Sequence, residues 1–185
     1  MTISQLIKWY INLDEHEPRK IGRYYASETY SIIKGYLKPQ DFFTKRDVDD
    51  NGSKLISEGI ATEDFLTKVF SKAKEKGVID VSFQDKHELK ISDDITLVVK
   101  PDYNFSLSFL SELKRPREIS YDIPEKWQYQ LECEYRAFNK PVQLWQVYYP
   151  MSFYHLDYTP SNERWEEIKR ALISFHNKLN VSKKQ

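Results

Sequence analysis

A sequence of 185 residues is long enough to bury one core, and its 28 basic and 28 acidic residues cancel in charge. This balance excludes a protein-wide positive field, so any contact with nucleic acid must come from local clusters. The single cysteine, Cys133, excludes an internal disulfide and an iron–sulfur cluster bound by this chain alone. No basic start precedes an apolar segment, and no apolar run approaches the roughly 20 residues of a membrane span. We therefore expect an intracellular, cytoplasmic protein without a membrane partner.

Helical periodicity dominates the first part of the sequence. Apolar residues recur at helical spacing over residues 3–12, and a second helix is predicted over Ser27–Leu37. A third, long helix is predicted from about Lys54 to Lys76, where Gly77 ends it. Residues 1–45 therefore form a predicted N-terminal helical part.

After this long helix the pattern changes from helical to alternating. Four short strands are predicted in a row, followed by a helix, a further strand and a final helix. Their predicted bounds are Val78–Phe83, His87–Ile91, Ile95–Asp102, Ser106–Lys114, Pro124–Phe138, Val142–Tyr149 and residues 160–180. This order indicates a mixed α/β fold in a single domain over residues 1–185, with its core over 54–150.

The predicted hairpin of the third and fourth strands brings three charged side chains toward one place. On Ser106–Lys114, strand alternation puts Glu112 and Lys114 on the same face. The preceding strand leaves its apolar run at Asp102, and a turn around residues 103–105 would put this acid opposite or diagonal to the pair. Carboxylates within shared reach collect a hard divalent cation, and the lysine adds positive charge beside an attacking water.

Two helices each contribute a polar residue beside an apolar stripe. Glu63 follows Gly59 by one helical turn, on a face whose apolar members we expect to be buried. Those apolar members are Ile56, Ile60, Leu66 and Phe70. Gln130 lies on the margin of the inward stripe of its helix, one turn after Trp127. Because polar groups in such positions need partners, we assign both residues to the predicted site.

These residues belong to four short motifs with a fixed order. The motifs are Gly59-Ile-Ala-Thr-Glu63, Lys-Pro-Asp102, Glu112-Leu-Lys114 and Gln130. Taken together, the chain from about Gly59 to Tyr149 resembles the PD-(D/E)xK nuclease superfamily, in particular RecB-like exonucleases and their CRISPR-associated relatives. The resemblance implies a restriction-endonuclease-like core, with a central mixed sheet of four to five strands flanked by helices.

The resemblance also implies roles for individual residues. The implied ligands of Mg²⁺ or Mn²⁺ are Glu63, Asp102, Glu112 and the backbone carbonyl of Leu113. The implied role of Lys114 is to position or activate the attacking water. Gln130 begins the family's Q-x-x-x-Y motif.

Two departures from the family pattern are visible. The tyrosine of the Q-x-x-x-Y motif falls where this chain has Glu134, outside the implied metal shell, and Tyr135 comes one residue later. We place Tyr135 among the residues predicted to contact DNA. The cysteine quartet of the iron–sulfur branch is missing, so the resemblance is to members without that cluster.

The activity implied is that of a metal-dependent deoxyribonuclease, an exonuclease or an endonuclease. Arg115 and Arg117 follow the lysine, where they either contact the neighbouring phosphate or are simply solvated. Arg23, beside Tyr24 and Tyr25, offers charge and stacking faces for a single DNA strand, although aromatic residues at helical spacing are more often core. The final helix is predicted either to cover the sheet or to form a homo-oligomer contact.

Two alternatives remain open from the sequence. The segment Asp47–Glu58 fits the acid spacing of a calcium-binding EF-hand loop and would make the chain a calcium-binding interaction protein. Lys54 at an apolar position and the lack of a second such loop weaken this reading, and a turn that caps the long helix explains the segment more simply. The other alternative is a nuclease-fold module that binds nucleic acid without cleaving it.

Overall fold

A computed structural model of the chain describes residues 19–44, 50–106, 108–148 and 152–182. The predicted helix over 3–12 lies outside these ranges, as do Asp47 and Asp49 of the calcium-loop pattern. None of the helices in the described ranges has the length and apolar character that a membrane crossing requires.

The described residues contain both helices and strands in the order that the sequence indicates for a mixed α/β fold. The strands are β1 (Arg23–Tyr25), β2 (Val81–Phe83), β3 (His87–Ser92), β4 (Ile95–Val99), β5 (Tyr103–Phe105), β6 (Phe109–Lys114), β7 (Val142–Tyr148) and β8 (Ser152–Asp157). The α-helices are α1 (Thr29–Ile33), α2 (Asp50–Glu75), α3 (Glu125–Phe138) and α4 (Asn162–Ser182). Short 3-10 turns occupy Ala26–Glu28 and Pro39–Asp41.

The strands form two sheets in this part of the chain. A five-stranded sheet has the order β2-β5-β6-β7-β8, with β6 and β7 parallel and the other neighbours antiparallel. A three-stranded sheet has the order β1-β4-β3, with β1 parallel to β4. The predicted mixed sheet flanked by helices is therefore confirmed, and strand β8 is an addition. β8 is an edge strand with mostly exposed side chains, so its apolar pattern in the sequence is weak.

The predicted hairpin between Ile95–Asp102 and Ser106–Lys114 is wrong. β4 pairs instead with β3 across a tight turn, and residues Tyr103–Phe105, predicted as a turn, form strand β5 and pair with β6. The reason is burial: the Tyr103 side chain is fully buried and packs against Phe70 of α2, with ring centroids 5.1 Å apart. Asp102 still lies directly before a strand that pairs with β6, so it remains close to Glu112 and Lys114 of that strand.

The N-terminal part is not wholly helical, which corrects the prediction for residues 1–45. Strand β1 lies parallel to β4, with Tyr24 fully buried opposite Leu97. Gly22 precedes this strand with a φ of 83°, and a Cβ at this position would collide with the backbone oxygen of Asp94. The backbone at Gly22 can therefore approach the turn at Asp94 closely, which allows β1 to pair with β4.

The long helix α2 and the final helix α4 cover the two sheets. On α2, Leu66 is buried as predicted, but Ile56 is 38% exposed, so the predicted apolar stripe does not extend to the start of the helix. On α4 the apolar residues that face inward are Ile168, Leu172, Phe175 and Leu179, all of them buried in the core beside β4. The sheet-covering interpretation of the final helix is therefore the one that the structure supports.

A buried carboxylate, Glu132, joins helix α3 to the start of α4. Its side chain is fully buried and accepts hydrogen bonds from the Arg136 Nε at 2.7 Å, from the Ser161 backbone N–H at 2.8 Å and from the Tyr158 hydroxyl. Arg164 adds a second positive charge 3.9 Å away. Because all these donors point at one carboxylate, the charge of Glu132 is fully compensated.

We expect Glu132→Gln to lower the free energy of unfolding by about 2 kcal/mol, because an amide cannot accept from all of these donors and two guanidinium groups lose their counter-charge. Urea denaturation monitored by circular dichroism measures the change as a shift of the midpoint at constant slope. The exposed pair of Lys90 and Asp93 supplies the control, since Lys90→Gln should change stability by less than about 0.5 kcal/mol. Equal stability of Glu132→Gln and the unmodified protein would contradict the assignment.

Candidate active site

The pairing of β5 with β6 places Asp102 beside Glu112. Tyr103 lies opposite Ser111, so the next pair toward the open end of β5 is Asp102 and Glu112. Asp102 Oδ2 accepts a hydrogen bond of 2.7 Å from the Leu113 backbone N–H. Because the N–H and the carbonyl of one strand residue point toward the same edge, the Leu113 carbonyl is directed to the Asp102 side as well.

Lys114 completes the group of three charged residues at the end of β6. Its Nζ atom lies 2.5 Å from Glu112 Oε1 and 3.3 Å from Gln130 Oε1 of helix α3. The Glu112 side chain is only 5% exposed, whereas that of Lys114 is 24% exposed. The lysine therefore has one side toward the buried carboxylate and the other toward solvent.

Helix α3 contributes a second residue that the sequence analysis had placed outside the site. Gln130 Nε2 donates a hydrogen bond of 3.1 Å to Glu134 Oε1, and the Glu134 side chain is fully buried. Glu134 follows Gln130 by one helical turn, so the two side chains share a face. This spacing was visible in the sequence and could have identified Glu134.

Glu63 is held beside the group by Gln84, which the sequence analysis also missed. Gln84 Nε2 donates to Glu63 Oε1 at 2.5 Å, and the Gln84 backbone N–H donates to the Asp102 carbonyl at 3.1 Å. Gln84 has a φ of 51°, a left-handed conformation that is uncommon for a residue other than glycine. In this conformation Gln84 forms hydrogen bonds both to Glu63 of α2 and to Asp102, which lies just before β5.

The electrostatics of the site are dominated by buried negative charge. Burial raises the pKa of Asp102 to about 8, and the neighbouring charges of Glu112 and Glu63 act in the same direction. The Leu113 N–H and the Lys114 ammonium oppose this rise without cancelling it. The ionised form of Asp102 is thus disfavoured, above all because burial removes its hydration.

The pKa values of Lys114 and Glu134 are also shifted by burial and by the charge of Glu112. Burial lowers the pKa of Lys114, but the charge of Glu112 and the hydrogen bond to it outweigh burial, so the pKa lies above its ordinary value. Burial, the charge of Glu112 and a hydrogen bond shared with Glu112 hold the pKa of Glu134 well above its usual range. Without a proton, the Oε2 atoms of these two glutamates are both buried without a donor. A proton on Glu134 that is donated to Glu112 gives both Oε2 atoms a hydrogen-bond partner, which explains why the pKa of Glu134 is raised.

Asp102 and Glu112 are neighbouring carboxylates that could hold a divalent cation between them. Asp102 in particular is a desolvated acid whose ionised form a cation would stabilise. Within the described ranges, no group of three His, Cys, Asp or Glu side chains could hold a metal ion. Glu63 lies close enough to Asp102 for its charge to contribute to the raised pKa of that acid, and its role as a further metal ligand stays a prediction.

The loop after β6 carries two of the predicted DNA contacts. Arg115 forms an ion pair with Glu58 of α2, whereas Arg117 is exposed. Gln146 of β7 is fully buried and holds the same loop by hydrogen bonds of 2.9 Å and 2.7 Å to the backbone of Ser120. Arg117 is thus displayed on an anchored loop that begins at Lys114.

Two other predicted DNA contacts are not brought to this site. Arg23 pairs in register with Thr96 at the far end of β4 from Asp102, and its guanidinium donates to Glu88 at 2.7 Å. Tyr135 packs against the apolar cluster under β6 and β7, with the Arg136 guanidinium 5.5 Å from its ring centre. Its aromatic face serves packing, as is usual for an aromatic residue on the inner side of a helix.

The calcium-loop pattern does not form a loop over its described part. Residues from Asp50 onward belong to helix α2, and Glu58, the twelfth position of the pattern, pairs with Arg115. An EF-hand loop is not yet helical at its fourth and fifth positions. The described part of Asp47–Glu58 therefore has the conformation of a helix N-terminus.

Comparison with solved structures relates the whole fold to known proteins. The protein SSO0001 is 13% identical, with a TM-score of 0.66 over 97% of this chain and 87% of that one. An alkaline exonuclease from Laribacter hongkongensis is 12% identical, with a TM-score of 0.55 over 88% and 90% of the two chains. The same exonuclease in complex with dAMP gives 11% identity and a TM-score of 0.57 over the same shares.

No protein-family model matches the sequence, and no curated protein matches it. At identities this low, the structural likeness establishes the fold and nothing finer. The chain shares the mixed α/β fold of the Laribacter hongkongensis exonuclease.

We expect Asp102→Asn to stabilise the protein in the absence of divalent cations, and only at high pH. An acid whose pKa is raised by folding, here from 3.8 to about 8, stabilises the folded state below its unfolded pKa. This contribution is lost as the pH rises toward the folded pKa. At pH 8 the variant should be more stable by roughly 1 to 3 kcal/mol, and near pH 4 the difference should almost vanish.

Urea denaturation in EDTA at both pH values measures this prediction. Asp93→Asn is the matched control, because Asp93 is fully exposed and its replacement should leave the pH dependence unchanged. A variant at position 102 that is less stable than the unmodified protein at pH 8 would contradict the raised pKa of Asp102.

Proposed function

We propose that the protein is a metal-dependent deoxyribonuclease that hydrolyses DNA phosphodiester bonds inside the cell. The observation that carries the proposal is the convergence of Asp102, Glu112 and Lys114 at the ends of β5 and β6. Perturbed acids beside a lysine at one sheet edge are what metal-assisted hydrolysis requires.

Asp102, Glu112 and the Leu113 carbonyl are the groups that would hold Mg²⁺ or Mn²⁺. Such an ion, when bound, polarises a phosphoryl oxygen and supplies an acidic water. Lys114 is an ammonium at neutral pH because the charge of Glu112 keeps its pKa high. It therefore acts by donating hydrogen bonds to the water and to the charge that develops on the phosphate, rather than by removing a proton.

The sequence resemblance to RecB-like nucleases without an iron–sulfur cluster and the structural likeness to an alkaline exonuclease both favour cleavage from DNA ends. The likeness extends to that exonuclease in its complex with dAMP, so a nucleotide product fits the proposal. Exonuclease action is therefore our first expectation, with endonuclease action as the alternative that the assay decides.

We expect Mg²⁺ or Mn²⁺ to support cleavage of linear DNA, and EDTA to abolish it. Lys114→Ala and Glu112→Gln should each lower kcat at least about 100-fold, because the first removes a positive charge aimed at the reacting phosphate and the second removes a carboxylate that would hold the cation. Lys90→Ala is the matched control, since this exposed lysine belongs to the three-stranded sheet and should leave kcat unchanged. Gel assays with linear and circular substrates, single- and double-stranded, separate end-directed from internal cleavage.

Cleavage that survives both site substitutions would overturn the site assignment. Binding of DNA without cleavage under every cation would instead identify an inactive nuclease-fold module. Tight Ca²⁺ binding that Glu58→Gln abolishes, without cleavage, would favour the calcium-binding alternative.

Arg117→Ala should weaken DNA binding without lowering kcat. An exposed arginine on the loop after Lys114 is placed to contact a phosphate, so its removal should raise Kd several-fold and reduce the slope of log K against log salt by about 1. Fluorescence anisotropy with a labelled oligonucleotide over a range of salt concentrations measures both effects. Arg23→Ala is the matched control and should leave both unchanged, because Arg23 lies at the far end of β4.

A further inference from the structure

Helix α3 contains two fully buried glutamates that differ in the number of hydrogen-bond donors around them. Glu132 is surrounded by donors, as described above. Glu134 accepts one hydrogen bond, from Gln130 Nε2 at 3.1 Å, and its Oε2 atom is buried without a donor among the described residues. A buried carboxyl group with so few partners does not stabilise a fold, so its presence calls for another explanation.

The hydrogen-bond chemistry of Gln130 gives that explanation. A side-chain amide donates from one arm and accepts on the other, a lysine ammonium only donates, and a carboxyl oxygen that carries no proton, such as Glu134 Oε1, only accepts. Gln130 must therefore turn its nitrogen to Glu134 and its oxygen to Lys114, which is the observed arrangement. If the amide were reversed, its nitrogen would face the Lys114 ammonium and its oxygen would face the Glu134 carboxyl oxygen, so neither hydrogen bond could form.

The chain of contacts ends at the proposed reacting centre. It runs from Glu134 to Gln130 and from Gln130 to Lys114, whose ammonium lies 2.5 Å from Glu112. An acceptor at position 134 thus fixes the orientation of the amide, and the amide fixes one of the few contacts of the ammonium. A side chain without an acceptor at this position would leave the amide free to turn.

We propose that Glu134 is a positioning residue, which orients Gln130 so that Gln130 holds the Lys114 ammonium beside Glu112 and the scissile phosphate. This inference rests on the proposed nuclease function. It assigns to a carboxyl group the helix position at which the resembling family has a tyrosine.

Two substitutions of Glu134 separate positioning from packing. Glu134→Leu removes the acceptor and keeps an apolar side chain of similar size, so the thermal midpoint should be unchanged or higher while kcat falls about 10-fold or more with KM within about 3-fold. Glu134→Gln keeps an acceptor for Gln130 and can donate to Glu112, so kcat should stay within about 3-fold of the unmodified protein. Loss of kcat in both variants alike, or in neither, would overturn the proposal.

A double variant tests whether Glu134 acts through Gln130. If it does, Gln130→Ala combined with Glu134→Leu should lower kcat no further than Gln130→Ala alone. Losses that multiply would mean that the two residues act independently, which would also overturn the proposal.

A readout that needs no DNA distinguishes failure of this inference from failure of the proposed function. In ¹⁵N-labelled metal-free protein, the Lys114 ammonium signal should exchange slowly with water, and Lys114→Arg assigns it. Glu134→Leu should speed this exchange about 10-fold or more, and Glu134→Gln should not. Glu132→Gln is the matched control on the same helix: it should lower the unfolding midpoint and leave the signal unchanged. A Lys114 signal that Glu134→Leu does not alter would overturn the inference, whatever the DNA assay shows.

Discussion

The burial of Asp102 beside a second acid, Glu112, is the constraint on which the site depends. Pairing of β5 with β6 fixes these two acids side by side, and burial removes the water that would screen their charges. The Leu113 N–H and the Lys114 ammonium oppose the effects of burial and of the Glu112 charge but leave Asp102 with a pKa of about 8. Ionisation of Asp102 therefore lowers the stability of the folded protein as the pH rises.

Helix α3 shows how one element can serve stability and the site at the same time. Glu132 faces the start of α4, where Arg136 of its own helix, Tyr158 and Ser161 donate to it and make it part of the core. Glu134, two positions later, faces β6 and has Gln130 as its hydrogen-bond donor. The helical rotation between the two positions separates a carboxylate that stabilises the fold from a carboxyl group that the fold alone does not need.

Hydrophobic periodicity was enough to predict the long helix α2, the helix α3, most strands and the mixed sheet with its flanking helices. It failed where the pattern is short or exposed. The three-residue strand β5 was predicted as a turn because its sequence is too short to show alternation, and the edge strand β8 buries too little apolar surface. β1 was missed because its pairing with β4 depends on contacts between segments that are distant in sequence.

For the site, the sequence by itself determined which residue types could meet: Glu112 and Lys114 on one strand face, with Asp102 at the end of a preceding segment. The alternation of side chains along a strand and the order of motifs depend only on neighbouring residues, so the sequence is enough to predict them. Only the tertiary structure decided that Asp102 reaches Glu112 through β5, that Glu134 accepts a hydrogen bond from the amide of Gln130, and that Gln84 holds Glu63 beside the group. The physical reason is that hydrogen bonds and charge repulsion act over a few ångströms, and those distances are set by the packing of segments that the sequence order keeps far apart.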